Sequence, residues 1–235
     1  MSLSIIHNYN YSALITLGGM CISIKCIYPI VDGYLQRFEK YNMLPLAKQK
    51  YIIKNFIKSV LLLTLSTVFM KPLILPIILN DKWDNRLVHL SGAIYTSNDL
   101  MGLILVKNLP YSTRMHHGIT TTLCLVSFSI NFQNSNLGKM IFVYTFASAH
   151  AYLVNFYLGA RLIVEKKRLE MVRITARNIY FVCCFVNWGW HLLFIYNNHQ
   201  LINMGQIIYF ILLFWIIKDD IILLSWLNNT MIKFN

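Results

Sequence analysis

Charged residues are scarce in this chain of 235 residues, where they make up 13% of the total against about 25% in an average soluble domain. Acidic residues are the scarcest, with nine Asp and Glu against twenty-one Lys and Arg. Hydrophobic residues reach 57%, and the mean hydropathy is +0.52. So little charge cannot cover the surface of a water-soluble domain of this length. The composition therefore predicts an integral membrane protein that forms a single membrane domain.

Several other features are missing as well. The five cysteines form neither a CxxC pair nor a Cys/His spacing typical of zinc, so no metal site is expected. Residues 1–10 contain no Lys or Arg, which argues against a cleavable signal peptide and predicts that the first apolar segment stays as a membrane span. The net charge of +12 lies in short runs between apolar segments. Such runs set membrane orientation, so no nucleic-acid partner is expected. No resident cofactor is expected either.

Seven apolar segments are candidates for membrane-spanning helices, each of which needs roughly 20 mostly apolar residues. The second contains Lys71–Pro72 and Pro76, and these prolines predict a kink or a break in its helix. The third is the most polar and includes Asp99. The predicted fold is therefore an all-α, polytopic transmembrane helical bundle of about seven spans, at residues 11–31, 56–79, 87–107, 115–133, 137–158, 178–197 and 202–218.

The distribution of basic residues supports the seven spans and gives them an orientation. Fifteen Lys and Arg fall on one side of such a bundle, three fall on the other, and the remaining three lie within spans. Because cytoplasmic connections carry the excess of positive charge, we expect the N-terminus to be lumenal and the C-terminus cytosolic. The fifteen lie in the connections 32–55 and 159–178 and at Lys107, Arg114, Lys218 and Lys233.

The adjacent histidines His116 and His117 are the most unusual polar feature, because they begin an apolar segment. Ionisable residues inside a membrane are rare and usually functional. Thr120 lies four residues after His116 and three residues after His117, so it can share a helix face with them. Asp99 lies in the preceding segment, roughly 12 Å from its cytosolic end at a rise of about 1.5 Å per residue.

Two further histidines, His150 and His191, lie in the fifth and sixth segments, in the cytosolic half or near the middle. Together with Asp99 and the histidine pair they predict a cavity that opens to the cytosol. Simpler alternatives stay open. The pair could be solvated at the membrane surface, and Asp99 could bind Lys58 or Lys71 to hold helices together. The two further histidines could be hydrogen-bond partners between helices.

A histidine beside a carboxylate supports two kinds of chemistry. It can act as a general base near neutral pH, for example towards an amine or hydroxyl that attacks an acyl thioester. It can equally hold the polar head of a lipid without any reaction. The two adjacent histidines are a weak signal alone and a stronger one together with Asp99, Thr120 and burial in the membrane.

These residues resemble the motifs of TLC-domain membrane proteins, a family that includes ceramide synthases. The run from His116 to Thr120, followed by Ser127–Phe128 and Asn131, is similar to the central motif of that family. Tyr95 and Asp99 are similar to its Tyr-x-x-x-Asp pattern. The resemblance also covers the basic start of the second span at 54–59 and the aromatic last span at 213–218, and extends over roughly 44–218.

The resemblance implies a six-helix core that encloses a lipid-accessible cavity, with one additional N-terminal helix. It divides the chain into an N-terminal region with the first span (1–43), a TLC-like membrane domain (44–218) and a short C-terminal tail (219–235). It also implies residence in the endoplasmic reticulum and a role in lipid metabolism. Ceramide synthases carry a later acidic motif, but the corresponding stretch Tyr144–Tyr152 contains no carboxylate.

The missing acids favour a protein that binds or regulates a lipid, with Asp99 and the histidine pair as its central residues. Its partners would be the bilayer and a lipid or acyl ligand, and an oligomer is compatible with the sequence. The expected ligand-binding residues are Thr120, His150, His191, Tyr95 and Arg114.

The alternative is an acyl-CoA-dependent lipid N-acyltransferase in which His116 or His117 is the general base. Asp99 would orient the base, and acyl-CoA would be a co-substrate whose phosphates meet Arg114, Lys107 or the basic run 166–168. Whether the protein is an enzyme stays open at this point. A seven-span transporter or receptor is a third hypothesis, although no receptor-type motif is evident.

Overall fold

A computed structural model describes residues 9–198 and 202–229, and it confirms the all-α prediction because these residues form helices and no strand. Two short segments, α2 (Glu39–Asn42) and α4 (Leu75–Asn80), accompany the longer helices, and a π-helical turn (Met70–Ile74) precedes α4. The longer helices are α1 (Tyr11–Leu35), α3 (Leu46–Thr67), α5 (Asn85–Leu105), α6 (Tyr111–Ser127), α7 (Asn136–Ala149), α8 (Tyr152–Ala160), α9 (Lys166–Asn198) and α10 (Met204–Asn229).

Two of these helices, α1 and α9, are long and apolar enough to cross a membrane by themselves. Two further spans are possible if each bent pair of helices counts as one, namely α3 with Met70–Asn80, and α7 with α8. Within the described ranges, length and apolar composition therefore give two to four candidate membrane spans.

The two bends have different origins. The helix after α3 turns by 46° at the π-helical turn, which contains Pro72 and lies just before Pro76, so the predicted break is confirmed. The second bend, also 46°, separates α7 from α8 at His150 and Ala151. No proline or glycine marks this position, and the segment 137–158, predicted as one span, consists of two helices that together could still form one span.

Many large apolar side chains face outward, and several polar side chains are buried between the helices. On α1, Ile15 is 74% exposed and Ile30 is 71% exposed, while Phe185 on α9 is similarly open. By contrast, the side chains of Asn98 and Asp99 on α5 are completely buried. Soluble proteins almost never bury an acidic residue completely unless it is paired, and they seldom expose large apolar surfaces. This inverted surface is compatible with a membrane protein.

Several helices meet at one end of the bundle. The central contacts are those of α3 with α8, α1 with α5, α5 with α6, and α6 with α10. The backbone of α8 approaches α3 closely at Gly159, where an added Cβ would lie 3.1 Å from the Phe56 ring and 3.3 Å from the Ile52 carbonyl oxygen. The N-terminal halves of α3 and α6 thus meet the C-terminal ends of α8 and α10 around one cavity.

Three predicted boundaries need correction. Helix α3 begins at Leu46 rather than at residue 56, so Lys54 belongs to a helix and not to a basic connection. Helix α9 begins at Lys166, twelve residues before the predicted span. Helix α10 continues past residue 218 to Asn229, so the predicted tail starts inside a helix. The ends of the predicted N-terminal region and tail, at 1–8 and 230–235 with Lys233, lie outside the described residues.

Candidate functional site

The candidate site is a cavity of about 300 Å³ at the end of the bundle where α3, α6, α8 and α10 meet. One part of its wall is polar and includes both His116 and His117. Another part is apolar and includes Leu158, Leu223 and Trp226. The predicted histidine pair therefore does face a cavity inside the bundle.

The carboxylate of Asp99 is completely buried and joins three helices. Lys58 on α3 forms an ion pair with its Oδ1 atom, and His117 Nδ1 on α6 lies 3.1 Å from the same oxygen. Thr120 Oγ1 donates to Oδ2 at 3.3 Å. Of the two lysines predicted as possible partners of Asp99, Lys58 makes this contact, whereas Lys71 is exposed on the π-helical turn. Asp99 thus both pairs with a lysine and contacts a histidine.

A second lysine, Lys54, occupies the other nitrogen of His117. Its Nζ lies 2.9 Å from His117 Nε2, and only 3% of the residue is exposed. A protonated Lys54 would donate to Nε2, while Nδ1 lies 3.1 Å from Asp99 Oδ1 without forming a hydrogen bond. Gly102 on α5 makes room for this lysine, because a Cβ there would lie 3.1 Å from Lys54 Cε. His117 is therefore held between two partners.

His116 has a separate carboxylate partner from the last helix. Its Nδ1 lies 3.4 Å from Asp219 Oδ2, and both side chains are mostly buried at the cavity wall. The neighbouring Asp220 is buried and accepts a hydrogen bond of 2.7 Å from the hydroxyl of Tyr180 on α9. The sequence suggested that these two acids end the last span, whereas they lie in the middle of α10 and face the cavity.

The other predicted site residues are only partly brought to this cavity. Tyr95 lines it, and its ring lies 5.5 Å from Lys58 Nζ. Arg114 is exposed in the first turn of α6 and does not line the cavity. His150 Nδ1 instead contacts the Phe146 carbonyl oxygen of its own helix at 3.0 Å.

His191 lies deeper in the bundle, away from the cavity. Its Nδ1 contacts the carbonyl oxygen of Asn187 at 2.8 Å, and its Nε2 lies 2.9 Å from the hydroxyl of Tyr209 on α10. That hydroxyl also donates to the carbonyl oxygen of Met140 on α7 at 3.1 Å. The alternative of a hydrogen-bond partner between helices is therefore correct for His191. The prediction that His150 and His191 share one cavity with the histidine pair is wrong.

Several cavity residues were not predicted as site residues, namely Lys54, Arg161, Asp219 and Asp220. The signal for Lys54 and Lys58 was their i, i+4 spacing, which places both on one helix face. The signal for the two acids was the apolar run 221–227 after them, which allows the helix to continue. No sequence signal distinguishes Arg161 from the other basic residues nearby.

Asp99, His116 and His117 could supply three metal ligand atoms, which lie within 4.8 Å of one another. The surrounding charges do not fit a cation, however. Lys58 already pairs with Asp99, and Lys54 lies against His117. A divalent cation at this point would be next to two ammonium groups in a region of low dielectric constant, where repulsion between like charges is strong. This donor set is better explained as a hydrogen-bonded ion cluster.

Comparisons with protein-family models, with curated proteins and with solved structures found no match. The geometry of the cavity and of its ion cluster therefore carries the functional argument.

Breaking the Lys58–Asp99 pair should destabilise the bundle, because either substitution alone leaves an uncompensated charge buried. We expect Asp99→Asn and Lys58→Met each to cost about 3–5 kcal/mol of unfolding free energy, and the double variant to cost less than the sum. Thermal unfolding in detergent, followed by tryptophan fluorescence, measures these changes. Lys71→Met is the matched control and should leave the midpoint unchanged. Additive losses in the double variant would contradict the ion pair.

Proposed function

We propose that this protein is a multi-pass membrane protein of the TLC type that binds a lipid in the cavity beside His116 and His117. One observation carries the proposal: a cavity with charged and apolar walls lies inside a bundle whose outer surface is apolar. A lipid matches both walls, because its head needs polar partners and its chain needs an apolar surface. The motif resemblance of residues 44–218 adds support.

The proposed topology has seven spans. The bent pairs α3–α4 and α7–α8 would each cross once, and α1, α5, α6, α9 and α10 would supply the other five. Helices α5 and α10 turn Asp99 and Asp220 inward, so their mean hydropathy understates how apolar their outer faces are. The basic connections favour a cytosolic C-terminus and a lumenal N-terminus, with the endoplasmic reticulum as the proposed location.

A second candidate function is acyl transfer from acyl-CoA to a lipid amine. It is favoured by the two histidine–carboxylate contacts at the cavity, His117 with Asp99 and His116 with Asp219. Lys54 occupies Nε2 of His117, so His116 is the better base. The amine nitrogen would bond to the thioester carbonyl carbon while His116 accepts its proton. The C–S bond would then break, and the CoA thiolate would leave and take up a proton.

The topology predicts which connections an impermeant reagent reaches. In a variant without the five native cysteines, we expect Lys167→Cys, in the exposed first turn of α9 beside the connection from α8, to react with a membrane-impermeant maleimide in sealed microsomes. Gln133→Cys, between α6 and α7, should react only after permeabilisation, because the two connections lie on opposite sides. Labelling of both cysteines in sealed microsomes, or the reverse pattern, would contradict the proposed orientation.

Lipid binding predicts that the cavity can be photolabelled. A fatty acid carrying a diazirine should crosslink to residues of α8 and α10 around Leu158 and Leu223, as identified by peptide mass spectrometry. Ser148→Trp, which fills the cavity from α7, should lower the labelling at least about tenfold if the cavity is the binding site. The outward-facing control Val182→Trp should label like the native chain. Crosslinks confined to outward-facing residues would refute the cavity as the lipid site.

The acyl-transfer function predicts that substitution of His116 strongly lowers amide formation. In purified membranes with acyl-CoA and a long-chain amine, we expect amide product from the native chain and a decrease of about 10²-fold or more for His116→Ala. The control Lys48→Gln, an exposed position on α3, should keep full activity at equal protein level. Absence of amide product from every acceptor would exclude this second function and leave lipid binding intact.

A further inference from the structure

The charged residues of the cavity come from different helices. The cationic wall consists of Lys54 on α3 and Arg161 directly after α8, and these two helices pack against each other. Asp219 and Asp220 are consecutive residues of α10. A ligand in the cavity would therefore meet both cations and carboxylates.

Neither residue of the cationic wall forms an ion pair with a carboxylate among the described residues. Lys58 is neutralised by Asp99, but no described carboxylate lies within 4.0 Å of Lys54, whose Nζ contacts a histidine ring. The Nε atom of Arg161 is buried and has no hydrogen-bond partner, while the guanidinium lies 4.3 Å from the centre of the Trp226 ring. Buried cations are costly without a counter-charge, and the planar guanidinium suits a phosphate.

The acidic wall is also incompletely matched. Within the described ranges, no Lys or Arg lies within 4.0 Å of Asp219, whose contact is His116 at 3.4 Å. Asp220 accepts one hydrogen bond from Tyr180, and Oδ1 is the atom that this bond uses. A primary ammonium group has three donors and a positive charge, so it fits the carboxylate of Asp219.

We propose that the cavity selects a zwitterionic phospholipid head group, with its phosphate at Lys54 and Arg161 and its primary ammonium at Asp219. This inference rests on the proposed lipid-binding function and names the head group of the same site. A purely anionic head would leave the carboxylates of α10 unmatched. A simple amine would leave the two cations unmatched. The zwitterion satisfies both walls, and Leu158, Leu223 and Trp226 would contact its chain.

The test compares four lipids that carry the same acyl or alkyl chain. Lysophosphatidylethanolamine, lysophosphatidate, a long-chain amine and a monoacylglycerol are titrated against the purified full-length protein in detergent, and each competes with a fluorescent fatty acid. We expect lysophosphatidylethanolamine to bind at least about tenfold more tightly than each of the others. This comparison uses the native chain and does not depend on the folding of any variant.

Variants then assign each charge of the head group. Asp219→Asn should weaken lysophosphatidylethanolamine about tenfold and leave lysophosphatidate unchanged or tighter, because only the ammonium loses its partner. Lys54→Gln should weaken both phosphate-bearing lipids and leave the monoacylglycerol unchanged. Glu39→Gln and Lys48→Gln remove the same charges at exposed positions, and both should bind all four lipids as the native chain does.

The outcomes separate the two levels of the proposal. Equal affinity for the four head groups, or a preference for the anion or the amine alone, would overturn the zwitterion and leave lipid binding in place. Failure of all four lipids to displace the fatty acid would overturn the head-group proposal, and failure of the fatty acid itself to bind would refute the proposed function.

Discussion

The ion pair between Lys58 and Asp99 is the interaction on which the rest of the site depends. A carboxylate with no exposed surface must be compensated, and here the compensation comes from an adjacent helix, α3, rather than from water. The same carboxylate contacts His117 and Thr120 on α6. One buried charge therefore constrains how α3, α5 and α6 lie against each other and places the histidine pair at the cavity.

The two histidines have the same sequence environment but different surroundings in space. His117 is fixed between Asp99 and Lys54, so its ring acts as part of the ion cluster. His116 has one carboxylate contact, with Asp219, and lies at the cavity wall. This difference favours His117 as a residue that orders the cluster and His116 as the residue that meets a ligand. Asp219 also gives the site a carboxylate, which the fifth apolar segment does not contain.

The separation of charge within the cavity follows from the directions of the helices. Lys54 lies early in α3 and Arg161 follows α8 directly, while Asp219 lies in the C-terminal half of α10. Because these parts of the helices meet at one end of the bundle, cations and carboxylates line the same small volume. Leu158 and Leu223 complete the wall with apolar surface. An amphiphilic ligand is the chemistry that such a cavity suits best.

The sequence alone determined the all-α class and the break at Pro72 and Pro76, and it singled out Asp99 and the histidine pair as candidates, because composition, proline and buried charge act locally. It could not show that Asp219 lies opposite His116, since 103 positions separate them and only helix packing brings them together. For the same reason it wrongly grouped His150 and His191 with the pair. Tertiary structure decided which polar groups share the cavity, because hydropathy reports burial but not the direction in which each helix face points.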